Sequence, residues 1–172
     1  MVSFSVTLVA IVVLACLIAL SAFFSSSETA IFTLPDSWFA SQTPGHDSRV
    51  DTLADLRGDP HRLLVTLLVG NNVVNVAISS IITVLTIEYL STGQAVTVAT
   101  LVGSFVVLVF GEIVPKSYGL GNAAKWALTV AIPISFIERL LYPLVAFFDF
   151  ITRRLNALLG GDSGIEQHLL NE

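Results

Sequence analysis

An all-α fold embedded in a membrane is the class this sequence predicts, and three observations predict it. The 172-residue chain is 54% hydrophobic and only 12% charged. Its mean hydropathy of +0.83 lies outside the range of ordinary soluble domains. Residues 2–27, 63–87 and 89–111 contain no charged side chain, and each run reaches the about 20 helical residues that a hydrocarbon core requires. Three such runs in so short a chain leave too little polar surface for a soluble fold.

The first run gives a span over about 4–33. It lacks the basic start of a cleaved leader, and its apolar stretch exceeds the roughly 7–15 residues usual for one. The single cysteine, Cys16, lies within it; with no partner for a disulfide, it reads as a small packing residue. Residues 36–58 follow as a juxtamembrane helical segment within the first loop, punctuated by Pro44, Gly45 and Gly58. Inside that loop, 47–56 reads as a short amphipathic helix with Val50, Leu53, Ala54 and Leu56 toward the lipid. Spans at about 62–88 and 95–115 come next.

Beyond Lys116 the chain is apolar again, yet only 12 uncharged residues separate Lys125 from Glu138. Pro133 and Pro143 are expected to break what remains. A fourth crossing would also place Arg153 and Arg154 outside, against the bias of the other basic residues. The stretch 117–158 therefore reads as a juxtamembrane helical belt, with Trp126, Phe136, Tyr142, Phe147, Phe148 and Phe150 at headgroup level. Gly160-Gly161-Asp162-Ser163-Gly164 is a hinge. Residues 1–159 thus form a membrane domain, and 160–172 a hinge plus the opening of a truncated acidic cytoplasmic segment.

Orientation follows from the basic residues. All eight (Arg49, Arg57, Arg62, Lys116, Lys125, Arg139, Arg153 and Arg154) fall in the first loop or after Pro115. Those parts are expected on the cytoplasmic side, with the N-terminus outside. The formal net charge of −5 does not oppose this, because acidic residues weigh little in that bias.

Polar residues inside the runs carry the chemistry. Ser21 and Ser25 stand one turn apart, with Glu28 close to the same face. The second run holds Gly70-Asn71-Asn72-Val73-Val74-Asn75, in which Asn71 and Asn75 align at i, i+4 and Asn72 and Asn75 at i, i+3. Three amides within five residues exceed what helix packing needs, since polar side chains at depth are costly. The third run ends in Gly111-Glu112-Ile113-Val114-Pro115-Lys116. Pro115 has no N–H for the carbonyl of Gly111, which leaves that oxygen beside a carboxylate. With the spans alternating in direction, hydroxyls, amide oxygens, this carbonyl and Glu112 reach similar depths in the inner half of the bilayer. An oxygen-only set favours Mg²⁺, Ca²⁺ or Na⁺ over zinc or copper.

Residues 25–30, 70–75 and 111–116 together resemble the three signature segments of the CNNM/CorC magnesium-transport membrane domain, in order and spacing over nearly the whole chain. The resemblance implies a homodimer with three spans and a belt per subunit, in the cell membrane, exporting Mg²⁺ with a sodium gradient as the driving force. It places Ser21, Ser25, Asn72, Asn75, Gly111 and Glu112 around Mg²⁺. Glu28, Asn71, Pro115 and Lys116 would form an outer layer or a Na⁺ site. Regulation by ATP belongs, in that family, to a CBS region that these residues do not include. A divalent-cation channel and a Mg²⁺-sensing scaffold without transport remain as alternatives on the same ligands. No enzymatic set of Ser, His and Asp is visible, His46, His61 and His168 are expected in loops or the tail, and no nucleic-acid partner is expected.

Overall fold

In the computed structural model, which describes residues 4–43 and 45–158, the chain is helical throughout. Helix α1 spans Phe4–Thr33, α2 Asp36–Ala40, α3 Ser48–Arg57, α4 Pro60–Ile87 and α5 Thr92–Val106. A π-helical segment, Val107–Ile113, joins α5 to α6 (Val114–Gly121), and α7 runs from Ala123 to Leu158. No strand occurs among the described residues. The hinge and acidic segment expected at 160–172 lie outside them, as does His168.

Helix starts follow local chemistry. Asp47 caps α3, accepting the Arg49 N–H at 2.9 Å. The Arg49 guanidinium also holds this carboxylate at 2.7 Å, and these bonds pull the Asp47 carboxyl down to about 2. Asp59 caps α4 through the Arg62 N–H at 3.1 Å, with Pro60 in the first turn, where a missing N–H costs nothing. Arg57 at the end of α3 donates to the Leu34 carbonyl just past α1, pairs with Asp36 at 3.2 Å and lies over the Phe39 ring.

The core is where α1, α4 and α7 meet, around Phe24, Ile31, Leu63, Leu67, Val130 and Ile134. Two glycines permit close approach. A Cβ on Gly70 would stand 2.6 Å from the Phe24 ring, and one on Gly119 would stand 2.4 Å from the Ser26 carbonyl oxygen. Elsewhere the surface is apolar: Val9, Val76, Leu101 and Phe105 are among many large hydrophobic side chains left exposed. A soluble monomer does not present so much contiguous apolar surface. Four helical stretches, Ser5–Thr33, Pro60–Ile87, Thr92–Gly121 and Ala123–Phe148, are long and apolar enough to cross a bilayer. The chain is an all-α, multi-pass integral membrane protein.

Four expectations change. Helix α7 is continuous through Pro133 and Pro143; both prolines lie on its exposed side, so the lost backbone bonds leave its packed face intact. The third apolar run continues past Pro115 to Gly121 before the chain turns at Asn122. The amphipathic face of α3 buries Val50, Leu53 and Leu56 within the protein, against α7, while Ala54 is exposed. His61 sits in the first turn of α4, not in a loop. As for α7 itself, near its start Trp126 donates to Ser26 Oγ at 2.9 Å. Fifteen residues into the helix, Glu138 pairs with Arg62 at the first turn of α4. Both anchors lie at the ends of α1 and α4 that adjoin the first loop.

Candidate functional site

Serines in α1 divide into two kinds. Ser26 and Ser27 turn back on their own helix, bonding Ala22 O at 2.7 Å and Phe23 O at 2.6 Å, the usual way to satisfy a hydroxyl in an apolar helix. Ser21 and Ser25 do not. Ser21 Oγ lies 3.0 Å from Asn71 Oδ1 and 2.7 Å from Asn75 Oδ1. A hydroxyl carries one proton, so it can serve only one of these acceptors. With both amides in this orientation, the other contact brings two oxygens together. Ser25, one turn on, is fully buried, and its Oγ has no hydrogen-bond partner among the described residues. An orphaned buried hydroxyl costs about 1–3 kcal/mol.

The third side of the cluster is backbone. Gly111 is buried, and a Cβ there would stand 2.6 Å from Ser21 Oγ; only glycine lets the π-helical segment touch α1 at this point. That segment also redistributes carbonyls. The Val114 N–H bonds Val109 O, five residues back, and Pro115 has no N–H. Phe110 O therefore loses both its α-type and π-type donors, and Gly111 O can be served within the helix only by the Lys116 N–H. A π segment is a frequent mark of a functional site. Here, running into proline, it leaves the Phe110 carbonyl without a donor in its own helix.

Of the residues singled out from sequence, the structure brings together Ser21, Asn75 and Gly111, with Ser25 one turn away. Asn71, expected only in an outer layer, stands at the centre. Asn72 does not join. It is exposed, its Nδ2 donates to Leu68 O at 2.9 Å, and it borders an open groove of about 530 Å³ with Asn75, Val76, Ser79, Ser80 and Thr83. Glu112 is half-buried, next to Gly111, and makes no ion pair among the described residues. Lys116 pairs with Glu28 at 3.3 Å instead, tying α6 to α1. Pro115 is buried. Among the described residues no three His, Cys, Asp or Glu side chains gather as a metal site, so the cluster around Ser21 is built of neutral oxygens.

Two contacts beyond the sequence reading stand out: the Trp126–Ser26 bond and the Arg62–Glu138 pair. Both link residues far apart in the chain, and no local periodicity announces them.

Comparison with known proteins places the chain in a family. Residues 11–172 match the family described as the cyclin M transmembrane N-terminal domain. The chain is similar to the inner membrane protein YfjD of Escherichia coli, a UPF0053 protein, at 35% identity over 145 residues, 82% of this chain and 33% of that one. It is similar to a UPF0053 protein of Haemophilus influenzae at 31% identity, covering 87% of this chain and 35% of that one. A chloroplastic DUF21 domain-containing protein of Arabidopsis thaliana is 34% identical over 86% of this chain and 22% of its own length. The chain thus spans a third or less of most of these relatives. It belongs to the cyclin M (CNNM, DUF21/UPF0053) transmembrane-domain family.

Proposed function

We propose that the chain is the membrane part of a magnesium transporter that exports Mg²⁺ from the cell by alternating access, driven by a sodium gradient. One observation carries the reading: Ser21 Oγ is shared by two amide oxygens, against the Gly111 backbone and one turn from the bare hydroxyl of Ser25. Oxygens crowded together with too few protons repel one another, and a cation relieves them. Ser21, Ser25, Asn71, Asn75, the Gly111 carbonyl and Glu112 amount to an octahedral complement of oxygens, the number Mg²⁺ prefers. Asn71 takes the place that the motif comparison gave to Asn72. Only one of the six is charged, which suits an ion that must leave again.

Other features fit the same reading. Release of Lys116 would free the Glu28 carboxylate beside the site for Na⁺. The polar edge of α4, with Asn72, Ser79 and Ser80 exposed and Thr83 half-buried, favours a second copy of the chain packed there, because hydroxyl and amide side chains serve helix association in lipid. Three spans with α7 as an inner belt, N-terminus outside and C-terminus cytoplasmic, agree with the placement of the basic residues.

Calorimetric titration of the purified chain with Mg²⁺, with and without Na⁺, tests the site. Glu112→Gln should abolish measurable binding. Asn71→Leu should weaken it by more than the about 10–100-fold lost with a group that only orients ligands, while Asn72→Leu leaves it unchanged. Wild-type affinity in Glu112→Gln would end the proposal.

A further inference from the structure

Away from the ion cluster, a charge pair joins α7 to α4. Arg62 Nε stands 2.6 Å from Glu138 Oε1, and the Glu138 side chain is only 13% exposed. The guanidinium also lies 5.1 Å over the Tyr142 ring. Despite the short distance, Arg62 Nε is buried without a well-aligned hydrogen bond. The contact is therefore electrostatic rather than a locked fork.

Such a pair is an unusual way to fasten two helices. The Arg62 side chain keeps 38% of its surface exposed, so the cost of dehydration falls mainly on Glu138, and apolar residues of similar volume often hold such a contact as well or better. What charge offers instead is a contact that water can dissolve. Two cavities flank the pair. One, of about 240 Å³, is lined by Thr52, Asp55, Asp59, Ser135 and Arg139 as well as the pair itself. The other, of about 220 Å³, lies between Asp59, His61, Tyr142 and Val145. At about 30 Å³ per molecule, each has room for several waters to rehydrate the separated charges.

Position gives the pair its leverage. Arg62 lies in the first turn of α4, the helix that carries Asn71 and Asn75. Helix α7 supplies none of the proposed ion ligands, yet it packs against α1, α3 and α4. We propose that Arg62 and Glu138 form a breakable joint between α7 and α4, closed here and opened during ion passage. Both are then positioning residues for transport. The inference rests on the transport reading, because the joint is a device for changing the tilt of α4.

The test compares Mg²⁺ flux into liposomes containing the full chain and an entrapped indicator with Mg²⁺ binding and melting of the same preparations. Arg62→Met with Glu138→Leu replaces the joint by a permanent apolar contact. It should melt no lower than wild type and bind Mg²⁺ within about threefold, yet transport about tenfold more slowly, a loss of rate without loss of binding. Glu138→Gln should also slow flux, and Arg62→Glu with Glu138→Arg should restore it to within about threefold. Wild-type flux in the apolar pair, or no recovery in the reversed pair, overturns the joint. Should the apolar pair melt early, the reversed pair decides alone. Absence of flux in the wild type sinks the transport reading and the joint with it; wild-type flux that the apolar pair retains sinks the joint only.

Discussion

The two halves of α1 obey opposite rules. In its first half, Val6, Leu8, Val9, Ile11 and Val12 are all more than half exposed. In its second half Ser21, Ser25, Ser26 and Ser27 are buried. In water such a helix would be inside out. In lipid, apolar side chains gain nothing by turning inward, so small and polar residues make the contacts between helices. The lesson is that the four serines are buried on α1 together with Phe24, Ala30 and Ile31, in the half where α4, α6, α7 and the π segment converge.

The largest effect should come from filling the contact against Ser21 in that buried half. Gly111→Val would drive a branched side chain into Ser21 Oγ, where even a Cβ stands at 2.6 Å. Mg²⁺ affinity should fall by about a hundredfold or more, the upper range for displacing a group that orients ligands. Titration of Gly111→Val beside Gly93→Val, a glycine with open space around it, separates the site from a general effect. Equal affinities would remove Gly111 from the cluster.

Next in size is packing without chemistry. A Cβ on Gly119 meets the Ser26 carbonyl, which is backbone and cannot swing aside. Gly119→Ala should cost about 1–3 kcal/mol, as overpacking does, seen as a lower melting temperature in detergent. A milder probe is Trp126→Phe, which keeps the ring face but loses the 2.9 Å bond to Ser26 Oγ. Interhelical hydrogen bonds in membranes contribute about 0.6 kcal/mol on average, so this variant should melt slightly early and bind Mg²⁺ normally. A melting loss larger than that of Gly119→Ala would reverse the ranking.

Much of this was legible in the chain and some was not, for definable reasons. Hydropathy alone marks the long apolar helices, because a bilayer demands length and apolarity and little else. The i, i+4 spacing of Asn71 and Asn75 put both amides on one face, but choosing Asn71 over Asn72 required knowing which side of α4 meets Ser21. That is a tertiary fact. That Pro115 has no N–H for the Gly111 carbonyl followed from proline chemistry. The π register that adds Phe110 to the account did not, since nothing local in Val107–Ile113 requires it. The unbroken course of α7 was missed because proline's cost was weighed without knowing that Pro133 and Pro143 lie on the exposed side. The Glu28–Lys116 pair joins residues 88 apart in the chain, so no local spacing announces it.

The smallest predicted effect tests the comparison most directly, because it predicts nearly nothing. Val12 is 55% exposed, halfway along the outer part of α1. In a soluble core, deleting valine methyl groups removes them from an environment that water cannot match. Here the methyls touch acyl chains in the folded state, and they would touch acyl chains equally if the helices came apart within the bilayer. The transfer energy cancels, and no cavity forms because lipid flows into the space. Val12→Ala should therefore change stability by less than about 0.5 kcal/mol, the range of surface substitutions, and leave Mg²⁺ binding unaltered. Ser27→Val makes the converse change in the inner half: it adds apolar volume to a helix face that is fully buried. A Val12→Ala loss as large as that of Ser27→Val, measured by melting in the same lipid, would show that the outer half is packed against protein rather than lipid.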